Sequence, residues 1–483
     1  MKNSEYIVIY YNLLVSTIVL LFITNFGFQE TYELMLVYAI NSTIVFGLLI
    51  YYEMICFKGL SLNLLVLIGC IMRFVFPSIT KAWGAINGEV YEYIVPYNIV
   101  NDYMFPTVVW MNIYYSIFYW CFLRFSCDIT IENAIKPIIV KYNVIKFTIP
   151  LFFIGITYNI MSSSLPANFI PSFVSTFLGQ LSRLAIIAQL FVSIFKPTRI
   201  NKTFLLIFII VSIWQTMFWG FYKGAIIINF VYYLLYYFLD GKYNGRKTLT
   251  LKFVLGIVAI FFTIDSIIYP FMTTKRVESG WDATTGLTSQ NFSNMQILGD
   301  VISGNSVAEV DDNTAAERLD AIGPNAFFYK ECNTKGLRTT KILVNNLELL
   351  VPKFLNQDKH ISQAGLMVTS YVTTGSFNNF NTARSYTFIG QFASAYLIGG
   401  WLMAIILAFF NGWLIMVYYN YLLKNINNIL AVILLIPCLM SALTAFEEIH
   451  DGGFLRAGTS IIMMIVIMLM TKFLPNFLTI KQY

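Results

Sequence analysis

The stretch YIVIYYNLLVSTIVLLFITNFG, residues 6–27, decides the fold. It contains no Asp, Glu, Lys or Arg. Wound as a helix at about 1.5 Å per residue, it crosses the roughly 30 Å of hydrocarbon in a bilayer. It is too long for the apolar part of a secretory signal and no small-residue cleavage site follows it, so it is expected to stay as a first span. Comparable runs recur along the chain, at 33–54, 60–80, 106–126, 147–163, 174–195, 203–220, 224–240, 253–272, 393–420, 428–446 and 458–474. Inside lipid only helices and closed barrels satisfy their own backbone, and unbroken apolar runs of this length are helices. The expectation is an all-α polytopic membrane protein of about twelve transmembrane helices.

Composition agrees. The chain is 58% hydrophobic and 12% charged with a mean hydropathy of +0.68, against roughly 45–50% and about 25% in soluble domains, which excludes a water-soluble fold. Its 31 Tyr and 43 Phe are enough for interfacial belts and for packing between helices, so they imply no cofactor box.

Alternate connections collect the basic residues: Lys58; Arg124, Lys136, Lys141 and Lys146; Lys196, Arg199 and Lys202; Lys242, Arg246, Lys247 and Lys252; then Lys424 and Lys472. By the positive-inside rule these face the cytoplasm, as do both termini. The pair of spans around Trp219–Lys223 is decisive, since fusing them inverts everything before. Residues 1–272 then form nine spans, 386–483 three more, and 273–385 one large extracytoplasmic loop, long enough to be a small domain or lid. Its front part is acidic, with Glu309, Asp311, Asp312, Glu317 and Asp320. The stretch from Lys335 to Arg384 is basic, with Arg338, Lys341, Lys353 and Lys359, and is a candidate anion-binding face unless its charges only solvate the loop. Helices are expected at Asn313–Ile322 and Leu337–Leu355. Cys332 is the lone cysteine of the loop, so no disulfide is expected there.

Arg73, Arg183 and Asp265 each fall about 20 Å from the inner boundary, and Lys223 caps the outer end of a span pair. A charge within a span costs about 2.5–3.5 kcal/mol on insertion scales, so such groups face a cavity or a partner. One reading is a polar pocket opening outward. The other is snorkelling arginines, or a structural ion pair with Asp265. A basic pocket beside a basic loop suits an amphiphile with a phosphate or pyrophosphate head. No Gly-rich phosphate loop, CxxC, or nucleophile motif is present. With two histidines, His360 and His450, no metal site is expected, and no cofactor or nucleic-acid partner. Asp311-Asp312 is half of an acidic metal pair or solvated surface. Glu447, Glu448 and Asp451, beside His450 and Arg456, are the densest candidates for a general base or else a helix-end charge cluster.

The stretch Leu350-Val351-Pro352-Lys353-Phe354-Leu355-Asn356-Gln357-Asp358-Lys359 resembles the loop segment of bacterial oligosaccharide repeat-unit polymerases, the Wzy-type O-antigen and capsule polymerases. Tyr386–Gly412, with Phe388-Ile389-Gly390-Gln391-Phe392 and Gly399-Gly400, resembles that family's approach into the span after the great loop. Lys223-Gly224 and Arg318-Leu319-Asp320 are similar to its basic landmarks. The chain departs from the family at Lys353, where arginine is common, and at His360, where proline is. The resemblance covers about a third of the chain. It implies transfer of a glycan from a polyprenyl pyrophosphate to the free hydroxyl of a newly flipped lipid-linked repeat, in a bacterial cytoplasmic membrane. A flippase and a chain-length regulator are the implied partners. The leaving pyrophosphate gains negative charge in the transition state, which fixed cations stabilise without metal or nucleotide. Arg73 and Arg183, with Glu447, are then the candidate catalytic residues, and Lys223, Arg318, Arg338, Lys353 and Arg384 the candidate pyrophosphate ligands.

Three alternatives stay open. A glycan ligase shares the topology, although the histidine-to-glycine spacing of eleven expected in its loop is missing, with Tyr371 and Ile461 at those positions. A lipid-linked oligosaccharide flippase needs no exported domain, and no repeat relates 1–240 to 253–483. A polyprenyl-phosphate-dependent glycosyltransferase would place carboxylates in its first outer loop, as Glu30 and Glu33 are placed.

Overall fold

The computed structural model describes residues 2–26, 32–57, 61–91, 100–126, 144–162, 172–219, 263–268, 287–303, 321–341, 364–377 and 390–425, with scattered single residues elsewhere. All regular structure among them is helical: α1 (Lys2–Phe26), α2 (Tyr32–Phe57), α3 (Leu62–Ile86), α4 (Asn101–Phe125), α5 (Ile145–Ser162), α6 (Ser172–Phe195), α7 (Arg199–Trp219), α8 (Leu287–Ile302), α9 (Ile322–Thr334), α10 (Ala364–Thr374) and α11 (Gln391–Lys424). Among the described residues five stretches are long and apolar enough to cross a membrane: Asn3–Asn25, Tyr32–Met54, Leu62–Ile86, Arg199–Met217 and Gln391–Lys424. Helix α4 matches them in length, but its Tyr, Trp and Asn residues lower its apolar character, and other helices wrap it. The spans expected at 224–240, 253–272, 428–446 and 458–474 lie largely outside the described residues.

The chain divides into two compact units, Met1–Thr130 with Ala316–Tyr483, and Ile131–Ala315. In the first, α1 to α4 run alternately up and down. Asn12 meets Asn112 and Tyr10 meets Trp120 across α1 and α4, while Ser16 meets Tyr38 and Tyr11 meets Asn41 across α1 and α2. Each pairing is antiparallel.

Two polar belts hold these helices where hydrocarbon supplies no hydrophobic drive. At mid-depth the Asn12 amide donates to Asn112 Oδ1 and Ser116 Oγ, both at 2.8 Å. The Asn112 amide donates to the Tyr38 hydroxyl at 2.6 Å and to Ser42 Oγ at 2.9 Å. Toward the Lys2 end, Glu53 accepts from Ser61 Oγ, Asn63 Nδ2 and the Tyr119 hydroxyl at 3.1, 2.6 and 3.1 Å. Ser61 also caps α3 by accepting from the Leu64 N–H.

Helix α11 is two helices. Gly399 and Gly400 break it, Gly400 at φ +69° and ψ −155°, a conformation closed to side chains with a Cβ. Before the break Phe392 lies by Tyr114 and Tyr396 by Trp110; after it Phe409 lies by Trp120 and Asn420 bonds Phe125. Along α4 the direction therefore reverses. Residues 391–398 rise toward the Phe26 end, and 401–424 descend to the Lys2 end. Gly412 brings the descending arm close, since a Cβ there would stand 2.7 Å from the Phe118 carbonyl oxygen.

In the second unit, α5 and α6 pack closely at Gly155, whose Cβ would collide with the Ser182 backbone. Phe152 stacks on Phe208 of α7 at 4.0 Å. Gln189 accepts from Thr148 Oγ1 at 2.9 Å and donates to the Asn201 carbonyl at 3.0 Å. A π turn at Ile264–Ile268 and α8 share a core of Ile268, Phe271, Ile297 and Val301.

Candidate functional site

Pro77 explains the bulge that carries Arg73. In an unbroken α-helix the carbonyl of residue 73 accepts the N–H of residue 77, and proline has none. Helix α3 widens instead into a π turn over Ile71–Val75, where the Phe76 N–H reaches the Ile71 carbonyl. The Arg73 carbonyl accepts the N–H of Ala321 at 3.2 Å. A segment of the long polar interruption is thereby anchored near the middle of a span.

Ala321 opens α9. Gly323-Pro324 sits in its first turn, where a missing N–H costs little, and Gly336 at φ +64° ends it. This helix was not anticipated, though its Pro-in, Gly-out punctuation was there to be read. A helix was expected over Leu337–Leu355; residues 337–340 carry no regular structure, with the Thr339 N–H committed to the Leu397 carbonyl at 3.0 Å, while the described residues beyond them, Lys341 and Val344, are helical, the Val344 N–H reaching the Thr340 carbonyl at 2.8 Å. The expected helix at 313–322 lies outside the described residues except for its end, where Ile322 begins α9.

Helix α9 rises beside residues 391–398, and Asn325 joins the two. Its Oδ1 accepts the Ala393 N–H at 2.9 Å, one of the amides with no partner inside its own helix, and its Nδ2 donates to the Ala321 carbonyl. A Cβ on Gly390 would collide with the Asn325 amide. Both helices begin at mid-depth, by Arg73 and by Tyr114, so both partly positive N-termini lie inside the bundle.

At the upper end of α9 a second group forms. Glu331, 4% exposed, accepts from Lys335 Nζ at 2.8 Å and from the Tyr371 hydroxyl at 2.7 Å, and Tyr371 stacks on Phe377 at 4.4 Å. Arg338 lies 5.2 Å over the Tyr396 ring and donates from Nη1 to the Leu337 and Cys332 carbonyls at 2.7 and 3.2 Å. The side chain stays exposed, with Nη2 3.5 Å from where a Cβ on Gly400 would stand. The guanidinium is thus held in one orientation at the Gly399-Gly400 turn. Burial pushes the Cys332 thiol up to about 12, against the pull of Arg338 and with the help of Glu331. Burial, then the hydrogen bond to Glu331, holds the Tyr371 phenol above its ordinary value.

Of the residues expected to act, Arg73 and Arg338 belong to the first unit. Arg183 lies in α6 of the second, within electrostatic reach of Tyr232. Asp265 lies in the π turn of that unit. Lys223, Arg318, Lys353, Arg384, Glu447, Glu448, Asp451, His360, His450, Arg456, Asp311 and Asp312 lie outside the described residues. Sequence reasoning missed Asn325, Glu331 and Tyr371, which carry no motif and gain meaning only from the helix they share or face. No family model matches the chain, nor does any curated protein or solved structure.

Proposed function

We propose that this chain polymerises oligosaccharide repeat units carried on polyprenyl pyrophosphate, at the outer side of a bacterial cytoplasmic membrane, with both termini in the cytoplasm. Arg338 is the observation that supports this reading most: an exposed guanidinium, fixed by two carbonyls and a tyrosine ring, where a segment of the long loop meets the bundle. A planar cation held in one orientation binds a pyrophosphate at less entropic cost than a mobile lysine. Deeper in the bundle, the Arg73 bulge and two helix N-termini add positive potential without a metal.

In the reaction, a hydroxyl of the acceptor repeat attacks the anomeric carbon of the donor glycan. The bond from that carbon to the pyrophosphate oxygen breaks, and its electron pair leaves with the pyrophosphate. The hydroxyl proton passes to a carboxylate, for which Glu331 and Glu447 are the candidates. A flippase supplies the substrate and a chain-length regulator sets the product.

The test is deletion of the gene, with surface glycan resolved by size beside the lipid-linked pool. Collapse of the ladder to a single exported repeat is expected. Polymer stranded on the carrier makes the chain a ligase, and repeats left facing the cytoplasm make it a flippase. Complementation with Arg338→Ala should restore less than a tenth of the polymer, and Arg338→Lys should do little better, because lysine lacks the fork.

A further inference from the structure

Among the described helices of the first unit α4 is the most enclosed, yet near the Phe26 end two of its largest side chains, Tyr103 and Trp110, keep part of their surface open. Tyr329 of α9 is also partly open. The Tyr329 ring centroid lies 6.5 Å from Tyr103 and 5.0 Å from Tyr396, and Trp110 lies 6.4 Å from Tyr396. The Trp110 indole N–H lies within electrostatic reach of the Tyr329 hydroxyl. Arg338 lies over the Tyr396 ring, 5.2 Å from its centre.

Thr107 lies one turn from both Tyr103 and Trp110, on the same face of α4. Its side chain is wholly buried, and its hydroxyl has no hydrogen-bond partner among the described residues. Leaving such a group unpaired costs about 1–3 kcal/mol. A helical threonine commonly returns its hydroxyl to the carbonyl four residues back, as Thr203 does here. Thr107 does not.

Lipid alone is a poor account of this group. Interfacial aromatic belts project from the outer faces of a bundle, whereas Tyr329 and Tyr396 pack against α4 from helices on its flank. A site made of ring faces with a few oriented polar groups has the chemistry of a sugar site. The C–H-rich face of a pyranose stacks on aromatic rings, while its equatorial hydroxyls need donors and acceptors at the rim.

We propose that Tyr103, Thr107, Trp110, Tyr329, Arg338 and Tyr396 form a saccharide subsite that holds one pyranose ring of the glycan. The assignment rests on the polymerase reading only for the identity of that glycan and its pyrophosphate. Trp110 and Tyr329 supply the stacking faces, and Arg338 at the outer edge holds the pyrophosphate that carries this pyranose.

The probe is the repeat oligosaccharide released by mild acid from the host's own surface polymer, offered to the full chain in nanodiscs and followed by saturation-transfer NMR. The wild type should bind it, with the strongest transfer to the C–H face of one sugar. Trp110→Leu and Tyr329→Leu should each weaken binding at least tenfold, while Trp110→Phe keeps most of it. If a leucine variant elutes misfolded, the wild-type transfer map and Tyr103→Leu decide instead. Unchanged binding in folded leucine variants, or none in the wild type, overturns the subsite and makes these rings a membrane belt. The two proposals part cleanly. Binding lost in the variants while gene deletion leaves the glycan ladder intact keeps the subsite and removes the polymerase, whereas a collapsed ladder with unaltered binding does the reverse.

Discussion

Asn325 shows how much one side chain can hold. It connects two helices through an acceptor and a donor used at the same time, both buried. Asn325→Ala leaves an amide and a carbonyl without their partner, and should cost about 1–3 kcal/mol in a reversible detergent unfolding titration. Asn325→Asp keeps the acceptor but loses the donor and buries a charge, so it should be the worse of the two; an Asp variant as stable as the wild type would mean the donor bond contributes nothing. Cys332 offers a second test. Its thiol is raised to about 12 from an unfolded value of about 8.5. The sign follows from linkage: the folded state holds the proton more tightly, so the contribution is complete below about pH 8.5 and fades as pH rises toward 12. Alkylation of Cys332 by N-ethylmaleimide, read on its own peptide by mass spectrometry, should be slow at pH 7.5 and climb only well above pH 9. Rapid labelling at neutral pH would place the thiol in a different setting.

At the scale of elements, a proline and a glycine pair set the architecture. Pro77→Ala restores an N–H able to claim the Arg73 carbonyl, and the α-helical bond then competes with the one from Ala321. Amides at 321–328 should exchange with solvent faster while α3 itself stays helical; unchanged exchange would show that the bulge has another cause. Gly400→Ala forces a Cβ into φ +69°, ψ −155°, at a cost of about 1–3 kcal/mol. The spans α1–α3, α7 and the descending arm of α11 were legible because hydrophobic length is a local property of the chain. Re-entrant residues 391–398 were merged into one span, 393–420, because both arms are apolar and only the glycine pair marks the reversal. Helix α9 was missed for the opposite reason. Its apolar residues are few, and its burial comes from neighbours more than sixty positions away in sequence.

For the whole molecule, the mid-depth belt of Asn12, Ser16, Tyr38, Ser42, Asn112 and Ser116 does for the first unit what a hydrophobic core does in water. A double-mutant cycle of Asn12→Leu with Asn112→Leu should give a coupling energy of about 0.6–1.7 kcal/mol, the range seen for hydrogen bonds between membrane helices. A value near zero would mean that shape alone joins α1 to α4. Composition announced a membrane protein but not this belt, since each of its residues is an ordinary exception within an apolar run and only the fold brings them together.

The bond between Arg73 and Ala321 also has a history in time. At about 5–20 residues per second of synthesis, residue 321 leaves the ribosome roughly 12–50 s after residue 73, and residues 391–398 come later still. For that interval α3 and α4 stand with the tyrosines of α4 and the proline-freed carbonyl of α3 turned toward helices not yet made. Truncated chains ending before 321 should therefore be short-lived in cells, held by insertion factors or cleared by membrane proteases, and the late-arriving loop completes the fold of the spans that preceded it.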